Sequence, residues 1–118
     1  MVAIVDDDRR VRESIQSVLE SAGFEAALFA SAEEFLASGA VSSTTCIVAD
    51  MRLPGIDGIE LQKRIRQQRP LSPVIFITAH DDDDIRERAL RGGAIDFMVK
   101  PFDAGELLDC IERTAHAP

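Results

Sequence analysis

Five side chains able to do chemistry stand just past short apolar runs. Asp6 and Asp7 follow Val2-Ala3-Ile4-Val5, and Asp50 follows Cys46-Ile47-Val48-Ala49. Thr78 follows Val74-Ile75-Phe76-Ile77, and Lys100 closes the run Ile95 to Val99. If those runs are strands of one parallel sheet, three carboxylates, a hydroxyl and an ammonium meet at its carboxyl edge. Two carboxylates about 5 Å apart repel by roughly 3 kcal/mol at an effective dielectric near 20. Such a cluster needs a cation or a raised pKa, and Lys100 alone leaves an excess of negative charge. A hard divalent ion, Mg2+ with Mn2+ or Ca2+ as substitutes, suits an all-oxygen site rich in carboxylates. A carboxylate beside a metal and a lysine can attack phosphorus and hold an acyl phosphate. The metal, Lys100 and Thr78 would then share the phosphoryl oxygens, and positioning with charge neutralisation supplies most of the catalysis.

Taken singly, these residues also have plainer readings. Asp50 can be an ordinary turn residue, Asp6-Asp7-Asp8 a solvated loop with a helix cap, Thr78 a strand-end turn, and Lys100 before Pro101 plain surface. His80 can approach the pocket or simply lie in a turn. Asp81 to Asp84 reads as a helix N-terminus with a solvated face. Their joint occurrence at four strand ends is what points to a site.

The elements that must position these groups follow from periodicity. Val11, Ile15, Val18, Leu19 and Ala22 repeat at helical spacing after Asp8, a plausible N-cap, and Gly23 stops them. Phe24 to Phe29 reads as a weak second strand. Ser31-Ala32-Glu33-Glu34 is a capping-box pattern opening a short helix that ends near Gly39. Val41 to Thr45 reads as a polar loop. Pro54, Gly55 and Gly58 punctuate the turn after Asp50, and a third helix runs over Ile59 to Gln68. A fourth opens at Asp81 to Asp84 and stops at Gly92-Gly93. Asp103-Ala104-Gly105-Glu106 caps a fifth, with Leu107, Leu108 and Ile111 as its buried stripe. Five β-then-α units in strict alternation predict an α/β fold, a parallel sheet covered by helices on both faces.

Composition narrows the class. A chain of 118 residues with 46% hydrophobic content can bury a real core as one domain. With no Trp or Tyr, that core is mainly aliphatic. The net charge of -8 disfavours direct nucleic-acid binding, which needs basic patches. No apolar run is long enough to span a membrane. No charged-then-apolar leader is present, so a cytoplasmic location is expected. Cys46 and Cys110 lack metal-ligand spacing and read as buried free thiols. Thr114 to Pro118 reads as the start of a linker.

Four stretches together resemble the receiver domain of bacterial two-component response regulators, over nearly the whole chain. They are Val5-Asp6-Asp7-Asp8, Asp50 to Gly58, Ile77-Thr78-Ala79-His80, and Gly93 to Phe102. The wording is most similar to FixJ-type transcriptional regulators, with Arg52 after the acceptor and His80 after the threonine. The resemblance implies a flavodoxin-like, doubly wound (βα)5 fold with strand order 2-1-3-4-5. It implies Asp50 as phosphoacceptor, served by a sensor histidine kinase. Asp6, Asp7, Asp50 and the backbone carbonyl of Arg52 would hold Mg2+, and Lys100 would contact the phosphoryl group. A cis Lys100-Pro101 bond is expected. Thr78 and Phe97 would be the switch residues, Phe97 standing where many relatives carry Tyr. The face made by the fourth helix, fifth strand and fifth helix would then change and promote a homodimer. That dimer would control a C-terminal DNA-binding domain absent from this sequence. Arg52 and His80 flank the route of a hydrolytic water and would tune phosphoryl lifetime.

Rival readings stay open on residues alone. A haloacid dehalogenase-type hydrolase also uses a nucleophilic Asp, Mg2+ and Lys, but needs a second Asp where Arg52 stands. A flavodoxin-like FMN module needs a Ser/Thr/Gly-rich phosphate loop where Asp6-Asp7-Asp8 stands. A phosphorylation-independent pseudo-receiver would not need the full acidic set.

Overall fold

The structure is a computed structural model, described over residues 1–115. Its elements in chain order are β1 (Val2–Val5), α1 (Arg9–Ser21), β2 (Ala26–Phe29), α2 (Ala32–Ala37), β3 (Cys46–Ala49), α3 (Gly58–Gln68), β4 (Val74–Thr78), α4 (Asp83–Arg91), β5 (Asp96–Val99) and α5 (Ala104–Ala115). All strand pairs are parallel, and the order is β2-β1-β3-β4-β5.

Alternation along each strand explains the two layers. Side chains at successive strand positions point to opposite faces. Ala3, Val5, Ile47, Ala49, Val74, Phe76 and Phe97 pack on one side with Phe35 of α2, Leu61 and Ile65 of α3 and Ala89 of α4. Val2, Ile4, Cys46, Val48, Ile75, Ile77 and Met98 pack on the other with Ile15 and Leu19 of α1 and Leu107 and Ile111 of α5. Buried on both faces, the central strands must be apolar throughout, and their short runs show this.

Helix ends follow local chemistry. The Asp8 carboxylate accepts from the Arg10 N–H at 2.9 Å, opening α1. Ser31 Oγ accepts from the Glu34 N–H at 3.1 Å, while Glu34 accepts from the Ala30 N–H at 3.1 Å. The capping box is thus present, with its return bond one residue upstream of the usual N-cap amide. Asp57 and Asp82 cap α3 and α4, and Asp103 accepts from the Glu106 N–H at the start of α5.

Several boundaries differ from the sequence reading. β2 begins at Ala26, because the Phe24 N–H is taken by Leu19 O at the end of α1, where Gly23 turns with φ +87°. The segment expected to be a polar loop contains a 3₁₀ turn over Ala40–Ser43, held down by fully buried Val41. Ile95 lies outside β5 and is exposed. Thr78 is the last residue of β4 rather than the first beyond it. Of the expected linker, Thr114 and Ala115 belong to α5, and residues 116–118 lie outside the described residues. Both cysteines are buried and free, and burial pushes the Cys46 thiol up to about 12. No helix among the described residues is long and apolar enough to cross a membrane.

Phe76 is fully buried on β4, between the sheet and the α3–α4 layer. Phe76→Ala should lower unfolding free energy by about 3–5 kcal/mol, read from urea denaturation. A loss below about 1 kcal/mol would contradict this packing.

Candidate functional site

Strand order places the site. β1 lies between β2 and β3, so the chain leaves it in opposite directions and a crevice opens at the carboxyl ends of β1 and β3. Val5 pairs with Ala49 in register, so Asp6 and Asp50 emerge side by side. Their backbones are fixed there: the Asp6 N–H bonds Phe29 O at 3.1 Å, and the Asp50 N–H bonds Val5 O at 2.9 Å.

Carboxylate oxygens of Asp6, Asp7 and Asp50 all lie within 4.8 Å of one another. Asp6 and Asp50 are buried and Asp7 is exposed. Lys100, from the end of β5, reaches across two strands. Its Nζ is 3.2 Å from Asp6 Oδ2 and 3.2 Å from Asp50 Oδ2. The second oxygen of each buried carboxylate accepts a backbone amide: Asp8 N–H to Asp6 Oδ1 at 2.9 Å, and Arg52 N–H to Asp50 Oδ1 at 3.1 Å.

The electrostatics follow. Burial pushes the Asp6 pKa above its ordinary value and the Asp50 charge adds to this, while the Asp8 amide and Lys100 oppose it. Burial pulls Lys100 down, but the charges of Asp50 and Asp6 outweigh it, so its pKa is raised and the ammonium persists. Three carboxylates and one ammonium sum to two negative charges, the complement of one divalent cation. With all donors oxygen and one edge open to solvent, the donor set fits Mg2+.

The two residues expected to switch are placed differently. Thr78 is 1% exposed, and its Oγ1 accepts from the His80 N–H at 3.3 Å. That bond ties the hydroxyl to its own turn. The Lys100 N–H bonds Thr78 O at 2.7 Å, tying the tips of β4 and β5 together. Phe97 is buried in the core. The side chains of Arg52 and His80 are exposed, and both line a cavity of about 320 Å3 with Thr78, between the β3–α3 loop and α4. The Lys100-Pro101 bond is cis.

Two residues that position the site escaped the sequence reading. Arg12 Nη1 donates to the backbone carbonyl of Asp6 at 2.7 Å, holding the acidic loop against α1. Arg86 lies over the Phe97 ring. A lone arginine on an amphipathic helix reads as solvated surface, and only its tertiary partner says otherwise.

A doubly wound sheet with an aspartate pocket at its switch point and a lysine reaching in from the last strand defines a phosphoacceptor signalling domain. The chain matches the response regulator receiver domain family over residues 2–112. It is 41% identical to nodulation protein W of Bradyrhizobium diazoefficiens, over 94% of this chain and 49% of that protein. It is 40% identical to the transcriptional regulatory protein FixJ of the same organism, over 94% of this chain and 54% of that protein. The receiver domain of NtrX from Brucella abortus superposes with a TM-score of 0.91 at 30% identity, covering 100% of both chains. The chain belongs to the response regulator receiver domain family. It spans about half the length of the two curated relatives.

Because the folded state raises the Asp6 pKa, its ionisation costs native stability as pH rises from the ordinary carboxylate range through the folded pKa. Asp6→Asn should therefore stabilise the metal-free protein at pH 7 relative to wild type. The gain should vanish as pH falls below the ordinary carboxylate range. Millimolar Mg2+ should raise the melting temperature of wild type and raise that of the variant less. Thermal scans against pH and Mg2+ test this; a variant less stable than wild type at pH 7 would refute it.

Proposed function

We propose that Asp50 accepts a phosphoryl group from the phosphohistidine of a sensor histidine kinase. The observation that carries this is the pairing of one ammonium with two buried carboxylates at the sheet's switch point. Asp6, Asp7, Asp50 and the Arg52 carbonyl are the oxygens that would hold Mg2+. When bound, that ion neutralises charge building on the phosphoryl oxygens. Asp50 attacks phosphorus, the phosphorus–nitrogen bond breaks, and its electron pair returns to the imidazole. Lys100 offsets the charge gathered at the acyl phosphate. The Thr78 hydroxyl turns from the His80 amide to donate to a phosphoryl oxygen. The domain thereby assists its own phosphorylation and dephosphorylation rather than turning over a substrate.

The signal leaves by the α4-β5-α5 face. Thr78 ends β4 opposite Val99, and Phe97 stands two residues earlier on β5, opposite Phe76, so charge added at Asp50 biases two residues under that face. We infer a phosphorylation-promoted homodimer through this face and, in a longer protein, control of a DNA-binding domain in the cytoplasm. The naming of the relatives FixJ and NtrC as transcriptional regulators supports that output. The charge of -8 supports a domain that does not itself touch nucleic acid. Exposed Arg52, standing two residues after Asp50, weighs against the hydrolase reading, which needs an acid there.

Incubation with acetyl phosphate and Mg2+ should add the mass of one phosphoryl group to wild type and none to Asp50→Asn. Phosphorylation of that variant, or none of wild type with Mg2+ supplied, would refute the assignment. Arg52→Ala and His80→Ala should each change the dephosphorylation rate several-fold, and unchanged rates would remove both side chains from the mechanism.

A further inference from the structure

Phe97 has no hydroxyl, so whatever fixes its ring must act on the aromatic surface. One cation does so. The Arg86 guanidinium carbon, from α4, sits 5.2 Å from the ring centroid, within reach of the attraction between a cation and an aromatic face. Its Nη2 lies 3.4 Å from Asp81 Oδ1, in the turn that follows Thr78 and His80. Its Nε is buried and has no hydrogen-bond partner among the described residues. The side chain as a whole is 41% exposed, yet the guanidinium lies on the ring with its Nε forgoing a bond it could make in water. Outside the ring an open groove of about 340 Å3 is lined by Arg86, Val99, Phe102 and Glu106. The ring is buried although space lies beside it, and Arg86 stands at the boundary.

We propose that Arg86 is a positioning residue that latches Phe97 inward before any phosphoryl group arrives, with Asp81 anchoring the latch to the turn beyond Thr78. The part played in signalling rests on reading Asp50 as the phosphoacceptor; the latch itself does not. Thr78 pairs with Val99, two residues beyond Phe97 on β5, and the latch adds a second route from Thr78 to the ring. A shift of Thr78 moves Asp81, Asp81 moves Arg86, and Arg86 holds or releases the ring. The latch favours the inward ring that the active form requires, so less of the switching free energy must come from the acyl phosphate.

The test uses fluorinated phenylalanine and 19F NMR, with Phe97→Leu assigning the resonance. Arg86→Met keeps the aliphatic stem and removes the charge; Arg86→Lys keeps a charge. Without any phosphoryl mimic, Arg86→Met should move the Phe97 resonance toward that of a solvent-exposed ring, with Arg86→Lys between it and wild type. The apparent affinity for beryllofluoride with Mg2+ should fall about three- to tenfold in Arg86→Met. A Phe97 resonance unmoved in both variants would overturn the proposal. So would a moved resonance with unchanged beryllofluoride affinity in Arg86→Met. If the resonance moves while wild type itself takes up no beryllofluoride, the latch stands and the phosphoacceptor assignment falls.

Discussion

One ammonium between two buried carboxylates holds the functional edge of this domain together. Folding brings Asp6, Asp7 and Asp50 within 4.8 Å of one another, where each pair repels by roughly 3 kcal/mol at an effective dielectric near 20. Lys100 reaches both buried members at 3.2 Å and offsets part of that repulsion. It cannot offset all of it, and the remainder gives the pocket its chemistry. The pocket is left two charges short of neutral and therefore receptive to a divalent cation. Stability and function oppose each other here, and the opposition is visible in Asp6, whose pKa burial raises above the ordinary range.

The rest of the fold makes that arrangement possible. Parallel register sets Asp6 beside Asp50, since Val5 faces Ala49. Because β2 and β3 are added on opposite sides of β1 in the all-parallel order β2-β1-β3, a crevice opens between Asp6 and Asp50. Apolar strands buried on both faces supply the hydrophobic stabilisation against which the charged edge is set. A second tether holds the neighbouring helices: Gln62, buried on α3, donates to the Ala89 carbonyl of α4 at 2.8 Å. The end of α4 is therefore pinned, while its beginning, near Thr78 and His80, faces the cavity beside the site.

Much of this was legible in the residues. Asp8, Ser31 and Asp103 read correctly as caps because capping is local, a side-chain oxygen meeting an amide two or three residues on. Strands β1, β3 and β4 showed as apolar runs because both of their faces are buried. β2 was overextended because the claim of α1 on the Phe24 amide depends on a turn geometry that the apolar pattern does not report. The 3₁₀ turn at Ala40–Ser43 leaves no mark in the sequence pattern, because a single apolar residue, Val41, sets no period.

By itself the sequence determined the alternation of strands and helices, the candidate acceptor Asp50 and the acidic and basic groups around it. Those depend on residue type and near-neighbour spacing, which a linear chain displays. Tertiary structure alone decided which oxygens Lys100 meets, that Arg12 braces the Asp6 carbonyl, and that Arg86 lies on Phe97. Each of these joins groups from different elements, and the reach of a long charged side chain is fixed only when the surfaces beneath it are packed. The Thr78 hydroxyl makes the same point: the sequence put it at the strand end, and folding set it toward the His80 amide.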